Sequence, residues 1–249
     1  MNVLVIRFGI GLLVGSVQIC CAGERQFQSA GAQTALVELF TSEGCSSCPP
    51  AEASLSRLKD NPGLWKSFVP VAWHVDYWNH LGWRDSFSSP RYTERQRGYA
   101  AKWGNDSVYT PAFAVNGQEW HLGIANSALA KANSRDAGVL TANTDDGRRF
   151  IVTYKPASDN GSGWEAHVAL LGCGISSKIV AGENSGRNLK HDFVVLEERV
   201  ESMKMEKNTA QVEAILQSGR PVDVPRRAIA IWVNLPGQLA PTQATGGWL

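Results

Sequence analysis

The stretch ALVELFTSEGCSSCPPAEASLSRLKD, residues 35 to 60, decides how this chain is read. ALVELFT is a short apolar run rich in strand formers, and the glycine, serines and prolines after it break that pattern. In AEASLSRLKD, Ala51, Leu55 and Leu58 recur at helical spacing while Glu52, Arg57 and Lys59 fall elsewhere. The spacing predicts a helix that Asn61-Pro62-Gly63 ends. SFVPVAWHVDYW follows as a second buried strand. A strand, a crossover helix and a strand predict a right-handed βαβ unit with a parallel pair.

Further along, NHLGWRDSFSSP at 79–90 reads as a loop held down by Trp83 and Phe87, and RYTERQRGYAAKW at 91–103 as a surface helix with Tyr92, Tyr99 and Trp103 on one stripe. VYTPAFAVNG and QEWHLGI predict two strands joined at Asn116-Gly117, and NSALAKANSRDA at 126–137 predicts a closing helix. Beyond residue 138 the texture changes. RRFIVTYK, WEAHVALLG, KHDFVVLEERV and RRAIAIWVNL read as strands between turn-rich stretches such as GENSGRN at 182–188, a β-turn cluster; NTAQVEAILQSG fits either a helix or an edge strand. The expected class is α/β, with one domain over 33–138 carrying the cysteine pair and a β-rich, sandwich-like domain over 139–249.

The bulk numbers bound the function. The 249 residues are 43% hydrophobic, enough for a sizeable core, and 24 Lys plus Arg against 23 Asp plus Glu leave a net charge of +1. So balanced a chain offers no cationic field for a phosphate backbone or an anionic lipid surface, which argues against nucleic acid and membrane partners. Residues 1–22 place Arg7 before an apolar run from Phe8 to Val17 and end in small residues at Ala22, the pattern of a secretory signal peptide cleaved after Ala22. The expected location is periplasmic or secreted, with no membrane attachment after cleavage.

Of five cysteines, that cleavage leaves Cys45, Cys48 and Cys173, too few for a disulfide framework. Cys173 lies in the apolar AHVALLGCGI and reads as a buried, inert thiol. Cys45 and Cys48 are the natural couple. A thiol attacks as thiolate, and the partial positive charge of a helix N-terminus stabilises that form, so Cys45 is expected to be an exposed nucleophile and Cys48, one turn on, the buried resolving thiol. Three other readings stay open. Zinc would need a matching ligand pair that the spacing of the five histidines does not offer, Cu(I) could take Cys45, Cys48 and His74, and a bare structural disulfide would be a weak staple. His74, Asp76 and His80, among Trp73, Tyr77 and Trp78, form a further polar group at a strand end.

VEL before the cysteines, CSSC at a strand-to-helix turn and Thr110-Pro111 before a later strand resemble the thioredoxin-like superfamily. LVELFTSEGCSSCPPAEASL, WHVDYWNHLGW, YTPAFAVNG and GENSGRNLKHDFVV resemble more closely the DUF1223 family of secreted proteins. That resemblance implies a thioredoxin-like fold. It also implies that Pro111 is a cis-proline facing the cysteines, that Thr110 offers its backbone to an extended peptide, and that Glu38 is the buried acid handling the resolving thiol's proton. Gly44 before Cys45 and Pro49-Pro50 after Cys48 depart from the superfamily pattern. The functional expectation is an exported thiol-disulfide oxidoreductase acting on protein or peptide thiols with an unidentified redox partner and no cofactor. The alternatives are the Cu(I) carrier and a redox-inert binding module.

Overall fold

Residues 35 to 74 fold locally as their pattern predicts. After β1 (Arg25–Gln28), β2 (Ala35–Thr41) leads through the cysteine loop into α1 (Cys48–Ser56) and on to β3 (Phe68–His74), which lies parallel to β2 with Leu39 opposite Ala72. Pro49 and Pro50 fall in the first turn of α1, where backbone N–H groups have no intrahelical acceptor, so the helix starts at Cys48 without losing a bond. In α2 (Pro90–Trp103), Ser89 caps the start through Arg91 N and Gly104, at φ 77°, closes the end. β4 (Ala112–Val115) and β5 (Gln118–Trp120) form the expected hairpin. Asn116 and Gly117 both take positive φ there, and a Cβ on Gly117 would lie 2.6 Å from that of Ala240.

The rest of the chain is strand: β6 (Val139–Thr144), β7 (Arg149–Lys155), β8 (Trp164–Cys173), β9 (Ile175–Lys178), β10 (Asn188–His191), β11 (Val194–Glu206), β12 (Thr209–Ile215), β13 (Arg226–Asn234) and β14 (Gln243–Trp248). NTAQVEAILQSG therefore supplies a strand, β12, paired antiparallel to β7. This computed structural model describes residues 23–121, 135–158, 163–217 and 224–249. The signal peptide expected at 1–22 and most of the closing helix expected at 126–137 lie outside them.

The α/β class and the thioredoxin-like domain do not hold. Among the described residues strands predominate, α1 and α2 are the two α-helices, and twelve strands join in one mixed sheet ordered β1-β6-β7-β12-β11-β3-β2-β4-β5, with β8, β13 and β14 branching from β11. The physical reason lies at the free edge of β3. Val194 of β11 pairs in parallel with Ala72 there, and β11 runs on for 13 residues, antiparallel to β8 and then to β12. The βαβ unit is thus one corner of a largely antiparallel sheet.

Two hydrophobic clusters lie on opposite faces of the central strands. Along β13, Ala228, Ala230 and Trp232 enter the cluster with β2, β3 and β4, while Ile229, Ile231 and Val233 enter the one with β6, β7 and β12. Covered on both sides, β13 reads as an unbroken apolar run instead of an alternating one. The first cluster draws side chains from before and after residue 138, and Trp73 of β3 meets Trp232 of β13 edge to face at 6.1 Å.

Candidate functional site

The loop between β2 and α1 is built from backbone turns, with Cys45 N donating to Ser42 O and Cys48 N to Cys45 O. Both sulfurs are free thiols. The Cys45 sulfur stands 3.3 Å from Ser47 Oγ and 3.7 Å from Thr110 O, so the chain at Thr110 faces the cysteines, and the Thr110–Pro111 peptide is cis. Trp78 Nε1 donates to Thr110 Oγ1 at 2.8 Å. Beside this contact, Ser47, Pro50, Tyr109, Pro111, Phe113 and Trp120 line an open groove of about 380 Å³.

The two thiols are unequal. A hydrogen bond from Cys48 outweighs burial and, with Ser47 and Thr110, lowers the Cys45 pKa to about 6; burial, together with the bond it gives Cys45, pushes Cys48 far up. Cys45 precedes α1 by three residues, and the leading cause of its acidity is the neighbouring thiol and not the helix end. Both residues are 0% exposed, so the expected solvent-exposed nucleophile is instead sealed. Cys173 is a buried free thiol: burial raises it to about 12, and Phe193 N donates to its sulfur at 3.2 Å.

The stretch read as a β-turn cluster is a turn, and it also grips the backbone of the cysteine loop. Asn184, fully buried, donates from Nδ2 to Glu43 O at 2.8 Å and Cys45 O at 2.9 Å, and Glu183 accepts from Ser46 N at 3.0 Å. Gly44 is required for a related reason: a Cβ there would lie 2.9 Å from Trp78 Cβ.

Glu38 is buried on the other face of β2. It accepts from Arg95 Nε at 2.7 Å, Trp73 Nε1 at 2.9 Å and Tyr99 OH at 2.5 Å, and the Arg95 guanidinium packs against the rings of Trp73, Tyr99 and Trp232. Side chains alternate along a strand, so Glu38 and Phe40 face Tyr99 of α2 while Thr41 turns to α1. The carboxylate on the cysteine side is Glu52, which sequence reasoning missed because it sits on α1 as an ordinary polar position. Thr41, within hydrogen-bonding reach of Cys48, donates to Glu52 Oε1 at 2.6 Å.

Glu52 belongs to a buried charged cluster. His191 Nδ1 meets Glu52 Oε2 at 2.5 Å and its Nε2 lies 3.2 Å from Glu43 Oε1; His74 Nδ1 meets Asp85 Oδ2 at 2.7 Å. Burial works against both imidazoliums, but Glu43 and Glu52 outweigh it and raise His191 to about 10, and Asp85 outweighs it for His74, which is also raised. Burial likewise opposes the charge of Glu52 and Asp85, and the histidines more than offset it, lowering both. Among the described residues, Glu52, His74 and His191 are the group whose potential metal-ligating atoms all lie within 4.8 Å of one another, and that group contains neither cysteine. The polar residues around His74 do not converge either, since Asp76 accepts from Thr93 and His80 is exposed against Tyr77 O.

A family model described as a protein of unknown function, DUF1223, matches residues 36–234. This chain belongs to the DUF1223 family. Among solved structures, it resembles a crystal structure of a protein from Agrobacterium tumefaciens at 23% identity and TM-score 0.63, over 88% of this chain and 95% of that one. It also resembles HBP35 of Porphyromonas gingivalis at 13% identity and TM-score 0.60, over 89% of this chain and 76% of that one. Both likenesses concern the fold alone. No curated protein matches. The DUF1223 match takes in β2 through β13 and so spans the whole cysteine site, Asn184 and His191 included.

Proposed function

We propose that this DUF1223 protein is an exported thiol-disulfide oxidoreductase that uses Cys45 as nucleophile and Cys48 as resolving thiol on protein or peptide substrates. The observation that carries the reading is the opposed pair of thiols, Cys45 lowered to about 6 and Cys48 raised, beside the groove at Pro111. In the reducing direction the Cys45 thiolate attacks a substrate disulfide, forming a mixed disulfide and releasing one substrate thiolate. Cys48 then attacks the Cys45 sulfur, the second substrate sulfur leaves, and the Cys48 proton ends on a departing thiolate. The substrate gains two electrons and the enzyme becomes the Cys45–Cys48 disulfide; the oxidising direction is the reverse. With Cys45 sealed, attack needs its covering segments to part.

The test is capture. Cys48→Ser should accumulate a mixed disulfide through Cys45 with a disulfide-bonded peptide, Cys45→Ser should accumulate none, and the native pair should reduce insulin under a thiol donor. Full burial of both sulfurs is the observation that favours a redox-inert module. If neither variant captures a thiol and the dithiol resists oxidised glutathione, that second reading replaces the first.

A further inference from the structure

Glu52, His74 and His191 come from α1, the end of β3 and the end of β10, yet their donor atoms converge within 4.8 Å in a place closed to solvent. His74 and Glu52 have their other atom held from behind by a hydrogen bond, and His191 has a carboxylate within ion-pair distance of its other nitrogen. His74 is held through Nδ1 by Asp85, which also accepts from Glu43 N and Phe87 N. His191, with Nδ1 toward Glu52, has Nε2 toward Glu43, whose other oxygen accepts from Trp83 Nε1 at 2.7 Å. Glu52 presents Oε2 to the cluster while Oε1 accepts from Thr41. Carboxylates behind histidines and a hydroxyl behind a carboxylate are the supports that orient metal ligands. His74 Nε2 is fully buried and has no hydrogen-bond partner in the protein, and the same holds for His191 Nε2 and Glu43 Oε1 beside it. A nitrogen lone pair left unpaired in the interior is costly, and a metal ion bound through it offsets that cost.

We propose that Glu52 Oε2, His74 Nε2 and His191 Nδ1 form a binding site for one divalent transition-metal ion, and that the two-imidazole, one-carboxylate donor set suits zinc. Bond lengths near 2.0 to 2.2 Å place tetrahedral ligands about 3.3 Å apart, so modest side-chain adjustment closes the set around an ion. Imidazole and carboxylate together favour zinc over calcium or magnesium, which prefer all-oxygen shells. The site is separate from the thiols and stands whether or not Cys45 and Cys48 exchange disulfides. Because the cluster is sealed, the ion enters as the chain folds, displaces the protons that the carboxylates otherwise hold on His74 and His191, and ties β3, α1 and β10 together.

The experiment uses the full mature chain, refolded with excess Zn2+, dialysed and assayed for metal by mass spectrometry. About one zinc per chain is expected, retained by the Cys45→Ser/Cys48→Ser double variant and lost in Glu52→Ala and His191→Ala. If those variants fail to fold, two further measurements decide. Asp85→Asn, which leaves the ligands in place and weakens the support of His74, should bind zinc about 10- to 100-fold more weakly in chelator competition. Co2+ in the native chain should give tetrahedral visible bands without thiolate charge transfer. The proposal is overturned if the refolded native chain retains no zinc, if the metal leaves with the two thiols, if Asp85→Asn binds as tightly as the native chain, or if cobalt reports thiolate ligation.

Discussion

At the residue scale, the difference between the two thiols makes a direct prediction. Alkylation of Cys45 in the reduced protein should titrate near pH 6, against about 8.5 for a free thiol, and Cys48→Ala should move it upward because Cys48 supplies the largest stabilising bond. A thiol whose pKa is lowered by folding contributes stability that is complete above its unfolded value and disappears as pH falls through the folded one. The difference in urea stability between reduced native protein and Cys45→Ser should therefore grow from about pH 6 to about pH 8.5. Glu38 makes a contrasting prediction. Glu38→Ala should cost about 3 to 5 kcal/mol in urea unfolding, because it strands the buried Arg95 charge, while leaving the Cys45 alkylation profile unmoved. The closeness of the two cysteines and the inequality of their thiols were legible from CSSC, whereas the burial of Cys45 was not. Which acid shares their side of β2 was not, because that depends on strand alternation and on a partner eleven residues on in α1.

At the element scale, the loop carrying the cysteines is held by segments remote in sequence. Asn184→Ala would remove the side-chain donor to Glu43 O and leave Cys45 O with Cys48 N alone, and should cost about 1 to 3 kcal/mol while speeding alkylation of Cys45 as the loop loosens. Gly44→Ala would drive a Cβ into Trp78 and, through the indole's bond to Thr110 Oγ1, displace the backbone that faces Cys45. The expected outcome is slower disulfide exchange and an overpacking loss of about 1 to 3 kcal/mol, read by a stopped-flow exchange assay and urea unfolding. Local patterns announced β2, β3, β7, β8, β11, β13, the two α-helices and the Asn116-Gly117 hairpin, because those depend on spacing within a dozen residues, whereas β1, β6, β9, β10 and β14 went unannounced. GENSGRN carried no comparable signal, since a buried asparagine gripping two carbonyls 139 and 141 residues away looks in sequence like any turn residue.

At the scale of the whole molecule, the decisive bonds join the two ends of the chain. β11 extends the sheet from β3, Trp232 packs on Trp73, and Gln243 accepts from Thr34 N at 2.8 Å while donating to Ala30 O and Ala32 O. No periodicity reports which strand will meet the open edge of another, so a complete βαβ signature was read as a complete domain. A fragment ending at residue 138 would expose the β3 edge, remove one of the three rings against Arg95 and uncover the apolar face that Ala228, Ala230 and Trp232 close. It would also lose His191, and with it one side of the buried cluster beside the cysteines. Such a fragment should show weak near-ultraviolet dichroism and a broad urea transition, where the chain from residue 23 to 249 should unfold in one cooperative step; a sharp transition in the fragment would mean that residues 33–138 carry a sufficient core by themselves.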